Sequence, residues 1–543
     1  MIRKLFYLLA IGAVFALGIL LGRRLESSHI YSINRLGHVL QIIQDNYVDT
    51  LDMDSVHEAA IPLILANLDP HSTYLTAEMN RKESEGLNGS FQGIGVMFNR
   101  LIDTVVVVRV IEGGASERAG LKAGDRILRA DSTLLYGDGL TDEDVMKALK
   151  GPDKSVVRLL VSRDGQEQEV AVVRGPVPVS TLDAVYVTDS VLYVRINRWG
   201  ALTHREFLNA YVRNGPRQIR GVVVDLRDNV GGYLDAALAL AGEFLPKERL
   251  LLYTEGRAFP REDYLNSSDG QLIDMPLVVL VNEFSASASE IFAGVMQDYD
   301  RAQIVGRRTF GKGLVQQPFM LADGSAVRLT VARYYTPSGR SVQKSYAEGN
   351  ESYAEDLERR YAHGELFNAD SIAETDTIRY YTKLGRVVHG GGGVRPDIFV
   401  PRDSVGINSY YLRLVQSGTL PRFAFHYVDK RREELMAYKG MKALSEHLSS
   451  LGNSLLFDYA YYAQAQGIPI RTTLLYRSAD LILRHLRAMI ADNVSPDRSA
   501  YYWMEMQGNA ELTLALELIK TGAWRPILET ESNVGQAEPA SRI

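Results

Sequence analysis

Two residues in this chain have the type and setting needed for acyl transfer. Ser287 lies in Val-Asn-Glu-Phe-Ser-Ala-Ser-Ala-Ser-Glu (281–290) and Lys312 in Thr-Phe-Gly-Lys-Gly (309–313). A serine hydroxyl is a weak nucleophile until a base takes its proton. A lysine can be that base once its surroundings push its pKa down. Ser287 follows an apolar run and opens an amphipathic stretch, which puts its Oγ near a helix N-terminus. The free N–H groups there favour developing negative charge. Taken alone, Ser285, Ser287 and Ser289 are equally alternative helix caps, and a Gly-Lys-Gly turn is more often an exposed loop. Gln316, four residues past Lys312, could orient the amine without adding charge. A third segment, Asp225-Leu226-Arg227-Asp228-Asn229-Val230-Gly231-Gly232, also follows an apolar run. Its glycine pair could expose backbone N–H groups or simply make a tight strand–helix connection, and Arg227 could pair with an acid of the core.

The elements that must position these residues follow from hydrophobic patterning. Gly221–Leu226 and Pro276–Val281 are β-branched runs of buried-strand length, each leading through a turn into a helical pattern, Leu234–Phe244 and Ala288–Asp298. Two such units in a row predict an α/β core over 176–404. Residues 89–175 predict a short β unit with one or two helices. Its strands are expected at Thr104–Val110, Arg126–Ala130, Ser155–Val161 and Gln166–Val173, with a helix at Asp142–Lys150. Residues 25–88 read as helical, interrupted by the turn signal Asp69-Pro70-His71-Ser72. His71 and His389 lie beside turns and are expected to be structural. The charged stretch 348–377 predicts a solvated insertion, and 405–543 a mainly helical domain with Leu474–Ile490 its clearest amphipathic segment. The polar tail Ser532–Ile543 is expected to fray.

Composition narrows the chemistry. A length of 543 residues implies several domains, and a net charge of −6 gives no reason to expect nucleic acid. The absence of cysteine removes disulfides, thiolate metal sites and a cysteine nucleophile. No Gly-x-Ser-x-Gly, His-Glu-x-x-His or Walker A pattern occurs, and no metal or other cofactor is implied. Arg3 and Lys4 precede an apolar run from Leu5 to Leu21, closed by Arg23 and Arg24. This predicts an uncleaved signal anchor over 1–24, favoured over a cleaved signal peptide.

Taken together, the motifs resemble those of the carboxyl-terminal processing, or tail-specific, proteases. The matching pieces are Leu68–Ser72, Gly93–Val96, Ala119–Asp125, Asp225–Gly232, Ser285–Glu290, Thr309–Gln316 and the segment Gly390–Val400. The resemblance covers roughly residues 30–400, and the overall layout looks like that of the Bacteroidetes-type members. It implies a multidomain α+β protein: a crotonase-like α/β serine protease core with an inserted PDZ domain. It places the nucleophile at Ser287, the general base at Lys312 and the orienting amide at Gln316. It also places the oxyanion hole at the N–H groups of Ala288 and Gly232. Arg227, Glu290 and Asp298 match supporting polar positions, where salt-bridging within the core is as open as a direct part in catalysis. Gly93, Ile94, Gly95 and Val96 resemble a PDZ carboxylate-binding loop, so the expected partners are proteins or peptides with free, apolar C-termini.

The activity so implied is that of a periplasmic serine endopeptidase held at the inner membrane by residues 5–21; the alternative location is secretion. Two rivals stand beside it, a non-catalytic PDZ adaptor on a protease-like core and a crotonase-type acyl-CoA enzyme. Docking, dimerisation and substrate caging are all open for the helical region after residue 405.

Overall fold

The computed structural model describes residues 35–101, 104–137, 139–373, 378–495 and 497–526. The apolar run 5–21 and the tail 532–543 lie outside them. Among the described residues no helix is long and apolar enough to cross a membrane.

The protease-like core is built on a six-stranded sheet in the order Leu182–Thr188, Val191–Ile196, Gly221–Asp225, Leu277–Val281, Gln303–Gly306, Ile398–Phe399. The first pair is antiparallel and the rest run parallel. Every residue of Gly221–Asp225 and Leu277–Val281 is buried, as expected for parallel strands covered on both faces. The parallel order requires crossovers; two are the predicted helices Leu234–Gly242 and Ala288–Asp298, the latter buried at every residue, and another is Thr203–Arg213, between Val191–Ile196 and Gly221–Asp225. Both strand–turn junctions therefore open at the same edge of the sheet, which brings segments 225–232 and 282–288 side by side. A second sheet joins Thr73–Leu75, Ala326–Tyr335, Leu250–Glu255 and Glu262–Leu265, with Leu314–Met320 paired to Ala326–Tyr335. The N-terminal region thus contributes a strand to the core as well as the helices Met53–Leu65 and Ala77–Asn88.

The inserted unit is an antiparallel sheet in the order Val96–Leu101, Thr104–Val110, Arg126–Ala130, Val156–Arg163, Gln166–Val173. Its helix Asp142–Leu149 starts at a reciprocal capping box between Thr141 and Asp144. A short ribbon, Ser90–Gly93 against Gly175–Pro178, joins the unit to the core.

Eight helices from Ser409 to Thr521 form the C-terminal domain around its own apolar core. The amphipathic segment Leu474–Ile490 is two helices, Thr472–Arg477 and Ala479–Val494, because fully buried Ser478 uses its hydroxyl to bind Gly406 and Asn408 at the break. The domain reaches both other units. Asp492 and Asp429 receive Arg109 and Arg126 of the inserted unit, at 3.2 and 2.9 Å. Helix Ala510–Thr521 packs on the core sheet through Leu512, Ala515, Leu518 and Ile519.

Most described residues of the charged stretch 348–377 are exposed, but a few are anchored in the core. Tyr353, Arg360, Glu365 and Leu366 are buried. Arg360 donates to the carbonyls of Arg308 (2.6 Å) and Thr309 (3.1 Å), and Glu365 pairs with both Arg308 and Arg360. Two of the stretch's charges, Arg360 and Glu365, are thus paired inside the fold, while Glu351, Glu355, Glu358 and Arg359 stay exposed. A buried ion is tolerated only when it is paired and hydrogen-bonded in this way.

Candidate active site

The three serines of the 285–289 run separate cleanly by environment. Ser285 and Ser289 are fully buried and committed. Ser285 Oγ accepts from Asn282 N–H (2.9 Å) and donates to the Leu226 carbonyl (2.8 Å). Ser289 Oγ accepts from Trp199 Nε1–H and donates to the Asn229 carbonyl, both at 3.0 Å. Ser287 stands between them at the N-cap of helix Ala288–Asp298, half-buried, with φ +57° and ψ −115°. That conformation is costly for a residue with a Cβ and persists only where its surroundings enforce it. Here the Ser287 N–H donates to Glu290 Oε2 (2.9 Å), and its carbonyl accepts from Tyr334 Oη (3.1 Å).

Segment 225–232 lies against this turn through Asn229. The Asn229 carbonyl accepts from Ala286 N–H (2.9 Å) as well as from Ser289 Oγ, and its side-chain Oδ1 accepts from Gly231 N–H (2.9 Å). The Gly231 N–H is therefore spent inside its own loop. Gly232 has φ +143°, and a Cβ there would fall 2.1 Å from the Trp199 carbonyl oxygen, so only glycine fits. Among the described residues neither the Gly232 nor the Ala288 N–H meets a protein acceptor. Two free donors thus flank Ser287, the second at a helix N-terminus.

Lys312 lines the same cleft as Ser287, a cavity of about 1340 Å³ whose walls include Leu75, Val230, Phe284, Ile291 and Leu314. Burial holds the ammonium below its ordinary pKa, and the charge of Arg328 adds to the effect. Lys312 Nζ donates to Gln316 Oε1 at 2.9 Å, the contact expected from the sequence. No hydrogen bond joins Nζ to Ser287 Oγ among the described residues, and the geometry is that of neighbours in a cleft. Fully buried Glu290 ties the two together. Its Oε2 accepts from the N–H groups of both Ser287 and Lys312 (2.8 Å), and its Oε1 accepts from Thr309 Oγ1 (2.6 Å) and Gly311 N–H (2.7 Å). Burial pushes the Glu290 carboxyl up, and those four donors oppose the shift. Tyr334 Oη also donates to the Lys312 carbonyl.

Other residues singled out in the sequence fall elsewhere. Arg227 is buried and pairs with Asp225 at 2.6 Å, making contact with the C-terminal domain on its outer side. Asp298 ends the helix that Ser287 begins. It pairs with Arg340 (2.8 Å) and accepts from Ser338 N–H (3.0 Å), so it serves the core far from the serine. In the inserted unit the Ile94 and Gly95 carbonyls accept from Ser116 and Ile111, whereas their N–H groups meet no acceptor among the described residues. Among the described residues the adjoining strand Val96–Leu101 is an edge, paired only with Thr104–Val110.

One contributor was misjudged from sequence. The His71 carbonyl accepts from Gln316 Nε2 at 2.5 Å, which fixes the amide so that its oxygen faces Lys312. Asp69 shapes that turn by accepting from the N–H groups of His71 and Ser72, both at 2.9 Å, and from Thr330 Oγ1 of the core sheet. His71 Nε2 lies 2.8 Å from the Tyr353 hydroxyl. Burial and the charge of Lys312 push its pKa down to about 4, so the ring is neutral near pH 7. The Asp-Pro-His-Ser turn was visible in the sequence. That a carbonyl rather than a side chain does the positioning was not.

Residues 190–351 match the model of peptidase family S41, 106–163 that of a PDZ domain, and 410–495 that of a family of unknown function, DUF8443. The mixed α/β core thus carries the S41-matching segment and the inserted unit the PDZ-matching one, between helical N- and C-terminal regions. Its relatives include the "Probable CtpA-like serine protease" of Staphylococcus aureus (strain N315), 33% identical over 313 residues, which are 57% of this chain and 62% of the relative. The protein of the same name from Staphylococcus epidermidis is 30% identical over 57% of this chain and 63% of its own length. The chain spans less than two thirds of the length of these curated relatives. Among solved structures it is similar to the photosystem II D1 C-terminal processing protease, 26% identical over 67% of this chain and 92% of that one, with a TM-score of 0.34. A PDZ domain of the carboxy-terminal protease from Vibrio cholerae, in complex with peptide, matches 17% of this chain and 99% of its own length at 29% identity and a TM-score of 0.15.

Proposed function

We propose that this chain is a serine endopeptidase in which Ser287 is the nucleophile and Lys312 the general base, and that it cuts proteins presented by their C-termini. The observation that carries the proposal is the placement of a desolvated lysine, oriented by Gln316, in one cleft with a serine held at φ +57° between two free N–H groups. In the reaction, neutral Lys312 takes the Ser287 hydroxyl proton as Oγ attacks the scissile carbonyl. The oxyanion is received by the N–H groups of Ala288 and Gly232. The lysine then gives its proton to the leaving amine as the C–N bond breaks. Water, deprotonated by the same lysine, releases the acyl group and restores Ser287.

The edge strand Val96–Leu101 and the free N–H groups of Ile94 and Gly95 support recognition of a C-terminal peptide, which would add as a strand with its carboxylate on the loop. The apolar run 5–21 supports attachment to a bacterial envelope membrane, and the side proposed for the catalytic part is the periplasm.

The test is cleavage of an unfolded protein with an apolar C-terminus, followed by mass spectrometry of the products. Wild type should cleave it, Ser287→Ala and Lys312→Ala should not, and amidating the substrate C-terminus should slow wild type. Equal cleavage by all three proteins would refute the mechanism. Indifference to amidation would refute only the recognition of the tail.

A further inference from the structure

A carboxylate of the C-terminal domain reaches the base of two of the loops that form the site, and through Arg307 is linked to the third. Glu511, at the start of helix Ala510–Thr521, is buried, with Oε1 at 2.9 Å from Arg307 Nη1 and Oε2 at 3.5 Å from Arg227 Nη1. Asn509, which caps the same helix, accepts from Arg227 Nη1 at 3.2 Å.

Each arginine also pairs with an acid of the core. Arg227 pairs with Asp225 at the mouth of the segment that ends in Gly232. Arg307 pairs with Glu283 (2.7 Å), four residues before Ser287, while Arg307 itself lies five residues before Lys312. Segments 225–232, 282–287 and 307–312 therefore share one network of buried charges. Asp225 also receives Arg195 at 3.1 Å. Burial alone would raise the Asp225 pKa, but Arg227 and Arg195 hold it well below the usual carboxylate range. The buried members are three cations, Arg195, Arg227 and Arg307, and three anions, Asp225, Glu283 and Glu511. Arg195 has a further partner in the more exposed Asp228 (2.8 Å), so the loss of Glu511 falls on Arg227 and Arg307, each left with one of its two acids. A buried ion that loses a partner forces its neighbours to rearrange or admit water.

We propose that Glu511 is a positioning residue for the reaction. By holding Arg227 and Arg307 together it sets the register between the loop that carries the Gly232 N–H and the loops that carry Ser287 and Lys312. The C-terminal domain is on this account a working part of the peptidase. The inference rests on the proposed function.

The test compares wild type, Glu511→Gln and Glu511→Asp on one peptide substrate, with active-site concentration measured by a fluorophosphonate probe, and takes Ser287→Ala at matched protein concentration as the control without turnover. Glu511→Gln keeps the side-chain shape and removes the charge. It should lower kcat about tenfold or more with KM within threefold of wild type, because the loss falls on alignment in the transition state. Glu511→Asp should recover much of the rate. Adding Arg227→Lys to Glu511→Gln should cost less than the two losses multiplied, since both act on one network. If Glu511→Gln does not fold, Asn509→Ser, which keeps a capping oxygen but does not reach Arg227, should still lower kcat about threefold. Wild-type kcat per titrated site in the variant that folds overturns the inference and leaves the proposed function standing. A wild type without Ser287-dependent turnover overturns both.

Discussion

Replacing Glu290 by glutamine tests how far the site depends on one buried carboxylate. Its two oxygens accept four hydrogen bonds, from Thr309 Oγ1, Gly311 N–H, Lys312 N–H and Ser287 N–H, at 2.6–2.9 Å. In Glu290→Gln an NH₂ replaces one oxygen and faces two of those donors. Turned toward Thr309, the amide NH₂ can donate to that hydroxyl's second lone pair, beside the Val394 N–H it already accepts at 2.6 Å, but Gly311 N–H is left without a partner. Turned the other way, it faces the N–H groups of both Ser287 and Lys312, and each bond to a charged acceptor is worth about 1.5–3 kcal/mol. Against this, the neutral amide escapes the desolvation that pushes the Glu290 pKa up. That cost is substantial but already partly met by four donors. The net expectation is a loss of roughly 2–3 kcal/mol in stability. The effect on rate should be larger in proportion, because the lost bonds place the nucleophile and the base, and an error near 1 Å in such groups costs on the order of 10²-fold. Thermal unfolding and kcat on a peptide substrate measure the two effects. Turnover within about threefold of wild type, with an unchanged melting temperature, would refute the role given to Glu290.

Three further outcomes follow from the same geometry. Gly232→Ala places a Cβ against the Trp199 carbonyl and forces an L-residue to φ +143°, so the N–H must move; kcat should fall about 10²-fold or more, as for loss of an oxyanion donor, and near-normal turnover would count against Gly232 as that donor. Arg360→Ala should cost about 2–4 kcal/mol in a denaturant titration and lower kcat, because it frees the Arg308 and Thr309 carbonyls ahead of Lys312; an effect below 0.5 kcal/mol would count against Arg360 as an anchor of the segment. His71 has its folded-state pKa near 4, below the ordinary 6.5, so the unfolded chain binds the proton first and stability is lost as pH falls from about 6.5 toward 4. That interval is worth at most about 3 kcal/mol, reduced to roughly 1–2 kcal/mol by partial solvent access, and the corresponding slope should flatten in His71→Asn.

Much of this architecture was legible because it follows from local rules. Parallel buried strands read as uninterrupted Val and Leu runs, and the turns after Gly221–Asp225 and Leu277–Val281 carry the small residues that tight junctions need. The choice among Ser285, Ser287 and Ser289 was not local. It depends on which hydroxyls are taken by Leu226 and Asn229, residues about 60 positions away. The buried anchors of the charged stretch after residue 348 were hidden for a related reason. Charge signals solvent unless its partners are known, and the partners of Arg360 and Glu365 include Arg308, more than fifty residues earlier. The contribution of the His71 carbonyl had no side-chain signature, and that of Glu511 crosses from a domain whose composition shows only helices around an apolar core.

The most direct measurement is the pH dependence of covalent labelling of Ser287 by a small fluorophosphonate, in wild type and Lys312→Met. Wild-type labelling should rise with pH through a single transition below the ordinary lysine value, because burial depresses the Lys312 pKa and only the neutral amine accepts the Ser287 proton. Lys312→Met should fold and show no such transition. Labelling of Ser287 at the same rate and with the same pH profile in both proteins would contradict the Ser287–Lys312 mechanism.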